Sequence, residues 1–104
     1  MTKRIALAVL LFVACRRPPE TFAEGCDLLC TADAAKAVEC NVVLPSYQES
    51  DAIGCVNLCC KGNECQKPLA NPDAVLKCHD AIGRQSCLQY TSEDVPAVCR
   101  AVLR

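Results

Sequence analysis

Sulfur dominates the reactive side chains of this chain: 11 of its 104 residues are cysteine, against one histidine, two tyrosines and no tryptophan. Such a density belongs to small exported domains that are crosslinked because their apolar core is too small to hold them alone. Two pairs, Cys26-x3-Cys30 and Cys55-x3-Cys59, have the spacing that places both sulfurs on one face of a helix, one turn apart. Two such helices packed antiparallel can form an inner bridge, Cys30–Cys55, and an outer one, Cys26–Cys59, and the 24 residues between Cys30 and Cys55 leave room for the turn. Ten cysteines admit about 945 pairings, so other connectivities stay open at this point.

Six cysteines remain in the same region: Cys40, Cys60, Cys65, Cys78, Cys87 and Cys99. Cys60-Lys-Gly-Asn-Glu-Cys65 encloses a turn-prone segment and suits a small local loop. Joining the vicinal Cys59 and Cys60 to each other would strain the backbone, so each is expected to face a different partner. Cys78, Cys87 and Cys99 are expected to tie later helices to the hairpin or to one another, in an order that the spacing leaves open.

Other sulfur chemistry fits poorly. A thioredoxin-type exchange site needs Cys-x-x-Cys, which occurs nowhere in the chain. Covalent haem attachment needs Cys-x-x-Cys-His, and Cys78-His79 follows Val75 where the first cysteine should stand. Structural zinc requires reduced thiolates in short knuckles, which an oxidising destination disfavours, so no metal site and no cofactor are expected. Hydrolysis needs a base, and His79 sits on a helix flank beside Asp80, while Ser86 and Ser92 lie in no nucleophile-elbow context. Asp73 and the Glu93-Asp94 pair fall where helices begin, so the helix dipole accounts for them without acid–base catalysis. No catalytic activity is expected. A formal charge of −1, with no basic cluster, excludes a nucleic-acid footprint.

The elements that position these cysteines read as helices. Leu29, Cys30, Ala34, Ala37 and Cys40 share a face with Cys26, which predicts a first helix from about Asp27 to Val42, stopping before Leu44-Pro45. Ser46-Tyr-Gln-Glu49 resembles a capping box, ahead of a second helix over about Gln48 to Cys60. Asn71-Pro72 opens a third, in which Ala74, Val75, Cys78, Ala81 and Ile82 align and Gly83 can close the helix in the left-handed conformation. Thr91-Ser-Glu-Asp94 opens a fourth carrying Val95, Cys99, Val102 and Leu103. No stretch shows sustained strand alternation, so the expected fold is all-α: about four short helices, the first two a stapled antiparallel hairpin.

Ahead of this domain, Lys3 and Arg4 precede ten apolar residues, Ile5 to Ala14, followed by Cys15 and then Arg16-Arg17-Pro18-Pro19. Ten residues of helix span about 15 Å, half of a hydrocarbon core, so the run reads as an export signal and not a membrane-spanning anchor. Leu11-Phe12-Val13-Ala14-Cys15 resembles the lipobox of bacterial lipoproteins. That resemblance implies cleavage before Cys15, acylation of Cys15 and a membrane partner through the lipid. With Arg16 in place of the retention Asp, it also implies sorting to the outer membrane. The alternative is signal-peptidase cleavage after Ala23 and free secretion. Either cut leaves ten cysteines free of lipid, an even number. The expected organisation is a signal peptide over 1–14, a lipidated N-terminus and flexible tether over 15–25, and a helical domain over 26–104.

The twin Cys-x3-Cys pattern is similar to the helical hairpin of α-hairpinin peptides and of the small mitochondrial intermembrane-space chaperones. The likeness covers about a third of the chain and implies architecture, not function. Residues 26–104 carry 7 Lys or Arg against 10 Asp or Glu, net −3. The expected role is a surface-tethered, disulfide-stabilised binding or structural module, resembling short Cys-rich lipoproteins of Gram-negative bacteria and taking an unspecified protein or small ligand. The alternative role is a freely secreted effector or toxin-like protein.

Overall fold

A computed structural model describes residues 18–92, 94–100 and 102. Among them are four α-helices: α1 (Phe22–Glu39), α2 (Gln48–Cys59), α3 (Pro72–Arg84) and α4 (Cys87–Thr91). Short 3-10 turns lie at Pro45–Tyr47, Gly62–Gln66 and Ala97–Cys99, and the described residues form no strand beyond one isolated bridge, Thr21 to Pro68. The all-α reading holds, and α1 and α2 form the stapled hairpin.

The buried residues explain why sulfur is needed. Among the described residues the core consists of Cys26, Cys30, Ala34, Ala37, Cys60, Leu69, Val75 and Cys78, half of them cysteines and none aromatic. On α1, Cys26, Cys30, Ala34 and Ala37 recur at helical spacing, and their small size lets α2 come close. No residue of α2 is fully buried, so the hairpin partner is held more by crosslinks than by interdigitated side chains. Helix α3 contributes Val75 and Cys78 from the expected face. Among the described residues one buried side chain is charged: Lys36 of α1, 5% exposed, reaches the C-terminal end of α3.

Four local expectations are corrected. Helix α1 starts at Phe22, five residues before Asp27, because Thr21 accepts the Glu24 backbone N–H at 3.2 Å as its N-cap. It ends at Glu39, three residues before Val42, where Asn41 adopts φ 61°. Asn41 N–H then bonds to Val38 O and Val42 N–H to Ala37 O, the paired closure of a Schellman motif. Consequently the tether expected through Gly25 is in part folded: Phe22 N–H donates to Lys67 O at 3.0 Å, and Leu69 N–H to Glu20 O at 2.8 Å.

Second, Ser46 makes no cap, since Pro45–Tyr47 winds as a 3-10 turn directly into α2, whose N-terminal Tyr47 has no side-chain cap bond. Third, α3 passes through Gly83 to Arg84, and the left-handed glycine is Gly62, at φ 58° in the Cys60–Cys65 loop. Fourth, the last α-helix is capped by Ser86, not Thr91. Ser86 Oγ accepts the Gln89 N–H while the Gln89 side chain accepts the Ser86 N–H, a complete capping box. After α4 the chain leaves helical conformation, and Pro96 caps only the Ala97–Cys99 turn. Glu93 and Leu103 lie outside the described residues.

Candidate binding surface

All ten cysteines after Cys15 are bridged. Cys26–Cys59 and Cys30–Cys55, with Cα separations of 5.8 and 5.6 Å, staple α1 to α2 in the expected register. Cys60–Cys65 closes the local loop, and the vicinal Cys59 and Cys60 face different partners because α2 ends between them and Cys60 is extended. The two connections that spacing left open are Cys40–Cys87, from the end of α1 to the start of α4, and Cys78–Cys99, from α3 to the last turn. Five crosslinks are consistent with an oxidising destination outside the cytosol. Cys15 lies outside the described residues. Among those residues, no helix is long and apolar enough to cross a membrane.

The residues weighed for catalysis are spread apart in structural positions. His79 Nδ1 lies 3.5 Å from Asp80 Oδ1 on the flank of α3, half-buried. Ser86 is the α4 cap and Ser92 Oγ donates to Gln89 O, so both hydroxyls serve local backbone. Asp73 stands in the first turn of α3 and pairs with Lys77 at 3.3 Å, where the helix dipole favours it. Asp94, expected at a helix start, lies instead in irregular chain, and its carbonyl accepts the Gln85 side-chain amide at 2.8 Å. Among the described residues no three His, Cys, Asp or Glu side chains are grouped to hold a metal ion.

Among the described residues, two concave surfaces have a mainly apolar lining. The first is a groove of about 600 Å³ along the hairpin, between α1 and α2. Its apolar lining comes from Ala34, Pro45, Ala52, Ile53 and Val56, and its charged lining residues, Asp27 and Glu49, are acidic. Exposed Leu44 and Tyr47 precede α2 in the same connection. The second is a cleft of about 490 Å³ bounded by Asp33, Ile82, Tyr90 and Asp94. There Tyr90 Oη donates to Asp33 O at 3.3 Å. Burial raises the Asp33 carboxyl above its ordinary value, opposed by the Tyr90 hydroxyl and reinforced by the Asp51 charge. Burial, and then the charge of Asp33, push the Tyr90 phenol up to about 12.

Sequence reasoning missed the parts played by Thr21 and Lys36. Thr21-Phe-Ala-Glu24 has the Thr-x-x-Glu pattern of a helix start, and Glu24 Oε2 does turn back, accepting the Glu20 N–H at 2.7 Å. No family model matches this chain, and no curated protein or solved structure matches it either.

Proposed function

We propose that this chain is an exported, non-enzymatic module held at a membrane surface by a lipid on Cys15, a binding or structural protein kept folded by five disulfides. The observation that carries the reading is how soon the fold begins after Cys15. Pro19 is already buried, and Glu20 to Phe22 are bonded to the Lys67–Leu69 segment. Four residues of chain span at most about 14 Å, so a lipidated Cys15 would hold the domain close against the headgroups. The hairpin groove, apolar within and acidic at its charged positions, is the surface best suited to a partner.

The secreted alternative runs against the same geometry. Cleavage after Ala23 would cut inside the first turn of α1, removing the Thr21 cap and both backbone bonds to the 67–69 segment. Intact mass of the mature protein tests the proposal. A start at Cys15 carrying acyl chains is expected, and a start at Glu24 without them overturns it. Membrane localisation should depend on Cys15 in the same way, with Cys15→Ser releasing the protein from the membrane fraction.

A further inference from the structure

The cysteines of the five bridges differ in how far they are exposed. Four contain a nearly sealed cysteine: Cys26 at 0% exposure, Cys30 at 3%, Cys60 at 6% and Cys78 at 2%. The fifth, Cys40–Cys87, contains none, since Cys40 is half-buried and Cys87 is the one bridged cysteine that is exposed. Exchange of a disulfide requires a thiolate to reach one sulfur directly opposite the sulfur that leaves, so access governs which bridge reacts.

We propose that Cys40–Cys87 is a thiol-exchange site, the bridge through which an external dithiol opens the folded module, with Cys87 as the sulfur attacked. In the first step a thiolate of the dithiol forms a bond to Cys87 Sγ. The Cys87–Cys40 bond breaks, its electron pair leaves on Cys40 Sγ, and Cys40 takes a proton from water. In the second step the other sulfur of the dithiol, deprotonated, attacks its own sulfur in the mixed disulfide and expels Cys87 as a thiolate. The dithiol is oxidised by two electrons to a cyclic or internal disulfide, and the bridge is reduced to two thiols.

The location gives this exchange a structural consequence. Helix α4 has five residues, none of them buried. Apart from the bridge, its region is tied to α1 by Tyr90 Oη to Asp33 O at 3.3 Å and by Lys36 Nζ to Gln85 O at 3.0 Å. Opening Cys40–Cys87 therefore loosens α4 and widens the cleft beside Tyr90. The hairpin keeps Cys26–Cys59 and Cys30–Cys55, and α3 keeps Cys78–Cys99. The inference is independent of lipidation, because it holds for a chain starting at either cleavage site.

The test uses the mature chain without denaturant. Any pre-existing thiol is blocked with iodoacetamide, limiting dithiothreitol is added, and the thiols released are trapped with N-ethylmaleimide and mapped by mass. Cys40 and Cys87 are expected to be labelled at least about tenfold faster than the other eight, with most far-UV helical signal retained. Labelling of a different pair first, or of all ten together, overturns the proposal. A Cys40→Ser/Cys87→Ser variant is expected to lose the fast phase alone, and a fast phase that survives in it overturns the assignment. If that variant does not fold, the labelling order of the natural chain decides.

Discussion

The ammonium of Lys36 on α1 donates to Gly83 O of α3 at 3.0 Å, although Lys36 is buried at 5% exposure. Its other donors go to Gln85 O at 3.0 Å and to Glu39 Oε2 at 2.7 Å, so all three N–H bonds of the cation are used. The carbonyls at the end of a helix lack intrahelical partners and carry its negative pole, and a cation there answers both. Lys36 thus closes α3 in a place where a left-handed glycine was expected.

Lys36→Met keeps much of the side-chain volume and removes the charge, leaving the Gly83 and Gln85 carbonyls without this donor. The expected loss is about 1.5–3 kcal/mol, the range for hydrogen bonds made by a charged group. For a domain of this size that is a drop of roughly 4 °C or more in Tm, measured with the disulfides intact. A change within about 0.5 kcal/mol, the range of ordinary surface substitutions, would mean that water serves these carbonyls equally well.

Why the sequence led to the hairpin but not to this contact is a matter of range. The i,i+4 cysteines declare their own helix face, and a bridge between two such faces has few possible registers. Asn71-Pro72 likewise signals a helix start through purely local bonds, and Asn71 Oδ1 does accept the Ala74 N–H. Lys36 lies only about 20° outside Leu29 on the α1 wheel, at the margin of the apolar arc. Nothing within α1 says that a helix terminus 47 residues away will supply its acceptors. The ends of α1 are hidden in the sequence for other reasons. Thr21-x-x-Glu24 falls in a stretch without apolar periodicity, and Asn41 terminates the helix by entering left-handed space that asparagine tolerates. The candidate surfaces were not legible, because each combines side chains from separate elements.

The inner staple can be tested by stranding one sulfur. Cys30 is 3% exposed, so Cys30→Ser adds little polar surface to water while freeing the sulfur of Cys55. One new thiol is expected, mapping to Cys55 by alkylation, with stability lower by about 2–5 kcal/mol. Alkylation at any other cysteine shows that the bridges form in another register.

Asp33 and Tyr90 give the module a pH dependence of definite sign. A carboxyl whose value is raised in the fold favours its protonated form there, so this contribution is complete below the ordinary 3.8 and is lost as pH rises through the raised value. The charged form of Asp33 is therefore the less favourable one in the fold. Asp33→Asn is expected to raise Tm at pH 7 and to lose that advantage below pH 3.8. The phenol follows the same rule at the other extreme: its contribution is present below pH 10.0 and disappears as pH climbs through about 12. An ultraviolet difference titration of the natural chain against Tyr90→Phe should show a midpoint near that upper value. A midpoint near 10.0 would mean that the Tyr90 phenol is neither buried nor held beside Asp33.

The start of the fold bears most directly on what the module is for. Thr21→Ala removes the side-chain oxygen that accepts the Glu24 N–H, and about 1 kcal/mol of stability should go with it. A chain beginning at Glu24 loses more: the cap, the Phe22 N–H to Lys67 O bond, and the Glu20 carbonyl that receives the Leu69 N–H. Leu69 is a core residue, so the 67–70 segment that carries it should open and become a site of proteolysis in the shortened chain. Thermal unfolding and limited proteolysis of chains beginning at Arg16 and at Glu24, compared side by side, check both points. Equal stability would remove the structural objection to cleavage after Ala23. A clear deficit in the shorter chain means that residues 18–23 belong to the domain and that cleavage after Ala23 would damage it.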